Sequence, residues 1–136
     1  MKNIKKKVEF KIAADGGSAS GKTTACKLIA KKLKMNFLSS GKLYRYCALK
    51  IIQNKNIYNL NFINKITRSI TLRQLNNKKL YDADVTKLSY IIAKKKIVRE
   101  ALKKFQKNFI NSSPMVIVEG RDIGSKIMPD ADLKLF

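Results

Sequence analysis

Gly16-Gly17-Ser18-Ala19-Ser20-Gly21-Lys22-Thr23 decides how this chain reads. It fits G-x-x-x-x-G-K-[ST] in every position. The glycines let the backbone curl so that successive N–H groups point at one oxyanion. A helix opening at Lys22 adds the positive end of its dipole. Lys22 places a cation on the β and γ phosphates of a nucleotide, and Thr23 offers a hydroxyl to the Mg²⁺ that bridges them. The expected ATP-binding residues are Gly16, Gly17, Ser18, Ala19, Ser20, Gly21, Lys22, Thr23 and Thr24, with Thr23 reaching the metal through ATP. A Gly-rich turn can also arise by chance, so the flanking segments have to supply a strand before and a helix after.

Both flanks do. Val8–Ala14 alternates, is rich in β formers and ends at an Asp-Gly-Gly turn signal, which predicts a strand. Lys22–Lys34 sets Ala25, Cys26, Leu28, Ile29 and Leu33 among lysines and predicts an amphipathic helix. Asn36–Leu38 predicts a short second strand, and Gly41–Gln53 a helix with Leu43, Tyr44, Cys47, Ala48 and Ile51 on one side. Asn54–Tyr90 is polar and Asn-rich with short apolar patches, and predicts mixed structure. Lys95–Phe109 predicts a helix whose stripe is Ile97, Val98, Ala101, Leu102, Phe105 and Phe109. Asn111–Pro114 ends it, because proline cannot continue a helix. Met115–Val118 is a continuous apolar run, as in a central parallel strand covered on both faces. Gly120–Asp132 predicts a loop or short helix, and Leu133–Phe136 opens another strand. This order is that of an α/β fold with a parallel sheet. Its last strand has no following helix to cover it, so the expectation is a C-terminally truncated domain.

The chain has 136 residues, enough for one domain with a real core. Its 30 Lys+Arg against 9 Asp+Glu give a formal net charge of +21, which favours polyanionic partners. The lysines are scattered over every segment, as in Lys2–Lys7, Asn76–Lys79 and Lys94–Lys96, and read as solvated surface. There is no His, which excludes His-based catalysis and His-ligated metal sites. Two isolated cysteines, Cys26 and Cys47, and the lack of a signal h-region fit a reducing cytoplasm, where the protein is expected to reside. No stretch has the apolar length of a membrane span, so no membrane partner is expected.

Four elements in order resemble the bacterial cytidylate (CMP/dCMP) kinases, from about Val8 to Phe136. Asp15-Gly16-Gly17-Ser18-Ala19-Ser20-Gly21-Lys22-Thr23-Thr24 matches the family's opening D-G-P-S-G-A-G-K-G-T. Ser39-Ser40-Gly41-Lys42-Leu43-Tyr44-Arg45 matches D-[ST]-G-x-x-Y-R, with Ser in place of the first Asp. Val98-Arg99-Glu100-Ala101-Leu102 through Gln106 matches V-R-x-A-L-x-x-x-Q. Glu119-Gly120-Arg121-Asp122-Ile123-Gly124-Ser125 followed by Pro129-Asp130-Ala131 matches D-G-R-D-[IM]-G-T and P-D-A, with Glu and Ser as the two changes.

The resemblance implies a three-layer, P-loop nucleoside monophosphate kinase-like fold over residues 1–136, incomplete at the C-terminus, with a small acceptor-binding insertion at about 54–94. It implies transfer of a phosphoryl group from ATP to CMP or dCMP with Mg²⁺. Lys22 and Arg121 would be catalytic, and Ser40, Arg45, Ser89, Arg99, Arg121 and Asp122 would bind the acceptor. Arg45 and Arg121 would hold its phosphate, Arg99 would read the cytosine edge, and Asp122 would take the sugar hydroxyls. Ser89 stands for the family's base-reading Ser at a spacing one residue too long. The expected partners are ATP and CMP or dCMP, without nucleic acid, and the expected state is a monomer. The family continues with an arginine-rich lid and C-terminal helices that these residues lack, so nucleotide binding is expected to exceed turnover. Two other readings stay open at this point. One is a P-loop kinase for another small acceptor, such as AMP or shikimate. The other is a basic nucleic-acid-binding protein with a vestigial P-loop, supported by the charge.

Overall fold

A computed structural model describes residues 8–16 and 21–136. Two compact units make up the chain: one from Met1–Leu38 with Asn108–Phe136, the other from Ser39–Lys107. The sheet has four strands, β1 (Phe10–Asp15), β2 (Asn36–Ser39), β3 (Met115–Gly120) and β4 (Leu133–Leu135), in the order β2-β3-β1-β4. β1 runs parallel to β3, from Phe10 opposite Met115 to Asp15 opposite Gly120, and parallel to β4 on its other side. The α/β expectation and the parallel sheet are thus observed.

In the first unit, helix α1 (Lys22–Leu33) lays Cys26 and Ala30 on Ile12, Ala14 and Ile117, with Phe10, Ile29, Met115 and Leu135 around them. Ala13, Val116 and Val118 point the other way and are also fully buried. A strand apolar on both faces, as Met115–Val118 reads, is what this position requires. Each such side chain contributes about 1.5–3 kcal/mol on burial, so the β1–β3 pair is a firm base for the loops at its carboxyl end. α1 begins after Gly21, whose φ of 69° suits glycine, and ends in a left-handed Lys34.

The second unit holds α2 (Ser40–Gln53), α3 (Leu60–Arg68), two short 3₁₀ turns (Gln74–Asn76 and Lys78–Tyr81) and α4 (Ala83–Ile92). α5 (Lys96–Asn111) starts in this unit and ends in the other. The polar stretch Asn54–Tyr90 therefore holds one helix, α3, and most of a second, α4. Asn59 caps α3 by accepting from Phe62 N–H at 2.9 Å, and Ile63, Ile66 and Thr67 form its buried side. The buried line of α5 is Val98, Leu102, Gln106 and Ile110; Phe105 and Phe109 are half-buried. The stripe is thus rotated from the purely apolar one expected, and it carries a buried amide. Gln106 spends Nε2 on the Leu102 carbonyl at 3.2 Å. Among the described residues, no helix is long and apolar enough to cross a membrane.

Candidate active site

β1 ends at Asp15 and α1 begins at Lys22, so the Gly-rich segment lies at the carboxyl end of a central strand. That is where open α/β sheets bind ligands. Gly16 N–H donates to the Gly120 carbonyl at 3.3 Å, pinning the start of the segment to the end of β3. Gly17, Ser18, Ala19 and Ser20 lie outside the described residues. The Lys22 side chain folds back over Gly16, where a Cβ would stand 2.9 Å from Nζ. Lys22 Nζ is buried and has no hydrogen-bond partner among the described residues. Thr23 Oγ1 donates to Glu119 Oε1 at 2.8 Å, across the gap between α1 and β3. The other Glu119 oxygen, Oε2, is likewise buried without a partner. Thr24 is exposed.

Cys26 reports the same neighbourhood electrostatically. Burial pushes its thiol up, the Glu119 carboxylate pushes it further, and the Lys22 ammonium pulls it down. A buried cation and a buried carboxylate oxygen left unpaired are costly. A ligand that accepts from the first and supplies a cation to the second removes that cost.

Arg121 and Asp122 follow β3 directly, and both are exposed. Asp122 has a left-handed backbone, φ 56°, and leads into a single π turn, Ile123–Ile127. The turn closes through Met128 N–H to the Ile123 carbonyl at 2.6 Å. Asp122 Oδ2 stands 3.8 Å from Lys126 Nζ, with both side chains more than half exposed, so this pair is screened and holds little. The Asp15 carboxylate accepts from Ile123 N–H at 2.6 Å and Gly124 N–H at 3.0 Å.

In the second unit, Arg45 lies on α2. Its Nη1 donates to the Leu80 carbonyl at 3.0 Å and to Thr86 Oγ1 at 2.6 Å, and its guanidinium stacks 4.8 Å from the Tyr81 ring centre. Ser89 is buried and donates to the Thr86 carbonyl at 2.7 Å. Arg45 and Ser89 thus converge on Thr86. Ser40 opens α2 and is buried. Arg99 is exposed near the start of α5, close enough to Tyr44 for its charge to pull that phenol down against the stronger upward push of burial.

The cytidylate kinase family model matches residues 12–136. The chain belongs to the cytidylate kinase family. It is 34% identical over 147 residues to the cytidylate kinase of Phytoplasma mali, covering 93% of this chain and 62% of that protein. To the cytidylate kinase of Thermosipho africanus it is 37% identical over 138 residues, 93% of this chain and 60% of the relative. To that of Rickettsia rickettsii it is 34% identical over 130 residues, 93% and 58%. The chain thus spans about three-fifths of the length of these relatives.

Among the residues singled out in the sequence, Lys22 and Thr23 come together with Glu119, while Arg121 and Asp122 share one loop. Ser40, Arg45, Ser89 and Arg99 belong to the second unit. The Ser89 hydroxyl proton is engaged by the Thr86 carbonyl. Sequence reading passed over three residues. Glu119 stood only for a family Asp, although an acid closing an apolar central strand beside a phosphate loop is a metal-site signal. Asp15, an acid directly before the Gly-rich pattern, carried no role. Thr86 gave no signal, since its part depends on α4 standing beside α2.

Proposed function

We propose that this cytidylate kinase family chain transfers the γ-phosphoryl group of ATP to CMP or dCMP, giving ADP and CDP or dCDP. A phosphate oxygen of the acceptor attacks the γ phosphorus, and the bond to the bridging oxygen of ADP breaks. Such a transfer is mostly positioning and charge stabilisation. The observation that supports it most is the cradle of Lys22, Thr23 and Glu119: an ammonium buried without a partner among the described residues, and a hydroxyl bonded to a carboxylate whose other oxygen has none among them either. The ammonium suits the β and γ phosphates. The two adjacent hard oxygens of Thr23 and Glu119 suit Mg²⁺, which takes few protein ligands and fills its shell with phosphates and water. Mg²⁺ held by Thr23 and Glu119 would supply positive charge against that developing on the phosphates. Among the described residues there is no cluster of three or more His, Cys, Asp or Glu, in keeping with a metal carried in by ATP.

For the acceptor, the first unit offers Arg121 to a phosphate and Asp122 to the sugar hydroxyls, and the second unit by itself offers Arg45 to a phosphate, Arg99 with Ser89 to the cytosine edge, and Ser40. Guanidinium is the right group for forked bonds to phosphate or to a base edge. Both polar bonds of Arg45 come from Nη1, and a guanidinium has five N–H donors, so others can turn to a phosphate. The test is a pair of titrations on the chain. A fluorescent ATP analogue should bind the parent and lose at least about tenfold on Lys22→Ala, the loss of one charged hydrogen bond. Calorimetry should rank CMP above UMP and AMP. Unchanged analogue affinity in Lys22→Ala removes the cradle, and equal affinity for CMP and AMP removes the acceptor assignment.

A further inference from the structure

Asp15 stands just before the phosphate-binding pattern and outside it, yet its carboxylate grips the loop that follows β3. Oδ1 accepts from Ile123 N–H at 2.6 Å and Oδ2 from Gly124 N–H at 3.0 Å. These two amides come directly after Asp122, whose backbone is left-handed at φ 56°, a region that Asp enters more readily than most residues with a side chain. On the near side of Arg121, Gly120 O accepts from Gly16 N–H at 3.3 Å. Arg121 and Asp122 are therefore bracketed by two attachments, and both attachments lead to the end of β1. The fit is close: a Cβ on Gly124 would stand 3.1 Å from Asp15 Oδ2 and 3.2 Å from Lys134 Cδ. A carboxylate suits this task because it offers two acceptors and no proton to two neighbouring donors. An amide of the same shape would set an N–H against one of them.

We propose that Asp15 is a positioning residue for the acceptor: by holding the Ile123 and Gly124 amides it presents Arg121 and Asp122 to the nucleoside monophosphate, and it does not act on ATP. The inference rests on the reading of Arg121 and Asp122 as acceptor-binding residues. It assigns Asp15 to the acceptor side although it adjoins the donor loop in sequence.

The experiment compares the parent, Asp15→Asn, Arg121→Ala and the double variant by calorimetry with CMP and with a non-hydrolysable ATP analogue. Amide NMR spectra accompany the titrations. Asp15→Asn should weaken CMP by about 10–100-fold, as for a lost charged hydrogen bond, and leave the ATP analogue within about threefold. The Ile123 and Gly124 amide protons should shift upfield as their carboxylate partner goes. In the Arg121→Ala background the same change should cost CMP clearly less than in the parent, since only the Asp122 contact is left to lose and residues acting through one another are not additive. Gly124→Ala is the second variant, needed should Asp15→Asn fail to fold. It displaces the carboxylate by a few tenths of an ångström and should weaken CMP by about 3–10-fold with the analogue again spared. Equal losses for CMP and the analogue would make Asp15 a support of the fold and overturn the proposal. So would unchanged CMP affinity, or additive effects with Arg121→Ala. A parent that binds the ATP analogue and no CMP would instead overturn the acceptor reading, and the proposal with it.

Discussion

Glu119→Gln isolates the charge of the cradle with almost no change of shape. Thr23 Oγ1 keeps its partner, since an amide oxygen accepts as the carboxylate Oε1 does at 2.8 Å. What changes is Oε2, which is buried without a partner among the described residues and becomes an NH₂ group. One orphan replaces another, so the stability of the ligand-free protein should move by no more than about 1 kcal/mol. With Mg²⁺·ATP the loss is larger. A hydrogen bond or ligand contact to a charged group is worth about 1.5–3 kcal/mol, so affinity should fall about 10–100-fold. With ATP in EDTA the carboxylate only repels the triphosphate, and affinity should hold or rise. The quantity to measure is therefore the ratio of ATP affinities in Mg²⁺ and in EDTA, by calorimetric titration of parent and variant. An equal ratio in both proteins would refute the assignment of Glu119 to the metal, and equal losses in both buffers would point to damage of the cradle. Cys26 offers an independent check: the Glu119 charge raises its thiol, so the variant should alkylate faster at a given pH.

Three further outcomes follow from the same geometry. Burial pushes the Cys47 thiol from its ordinary 9.0 up to about 12, so between those values the unfolded chain binds fewer protons and stability falls as pH rises. Cys47→Ala should remove that loss, about 1.4 kcal/mol for each pH unit, and parallel urea-midpoint curves for parent and variant across this alkaline range would reject it. Arg99→Met should cost CMP about 1–3 kcal/mol of its preference over UMP and AMP and should raise the Tyr44 phenol, read by ultraviolet titration; if both stay fixed, Arg99 is a surface cation. Arg45→Ala should weaken CMP while sparing cytidine, and should cost about 1–3 kcal/mol of stability by leaving Leu80 O and Thr86 Oγ1 without their donor. Equal losses for CMP and cytidine would assign Arg45 to packing alone.

The central elements are legible in the sequence because each carries its own reason. Met115–Val118 is apolar throughout, and a strand of that kind must be covered on both faces, as Val116, Ile117 and Val118 are. Gly21 and Lys22 announce a helix that starts from a curled, glycine-dependent loop, and α1 begins there. The family, too, is readable from four short motifs in order. Asn54–Tyr90 was not readable, because α3 and α4 are short and many of their residues are polar. α3 does place Ile63 and Ile66 on one helical side, but over only nine residues, and in α4 the burial of Val85 and Ile92 is set by packing on α2 more than by a local period. In the candidate site the sequence by itself marks the Gly-rich pattern and the helix that opens at Lys22, since these rest on consecutive residues. It could not determine that Thr23 meets Glu119 across a separation of 96 positions, that Asp15 holds Gly124 across 109, or that Arg45 and Ser89 meet at Thr86. Only the tertiary structure decided these. The first two require the order β2-β3-β1-β4, which sets the carboxyl ends of β1 and β3 side by side, and the third requires α4 to lie against α2.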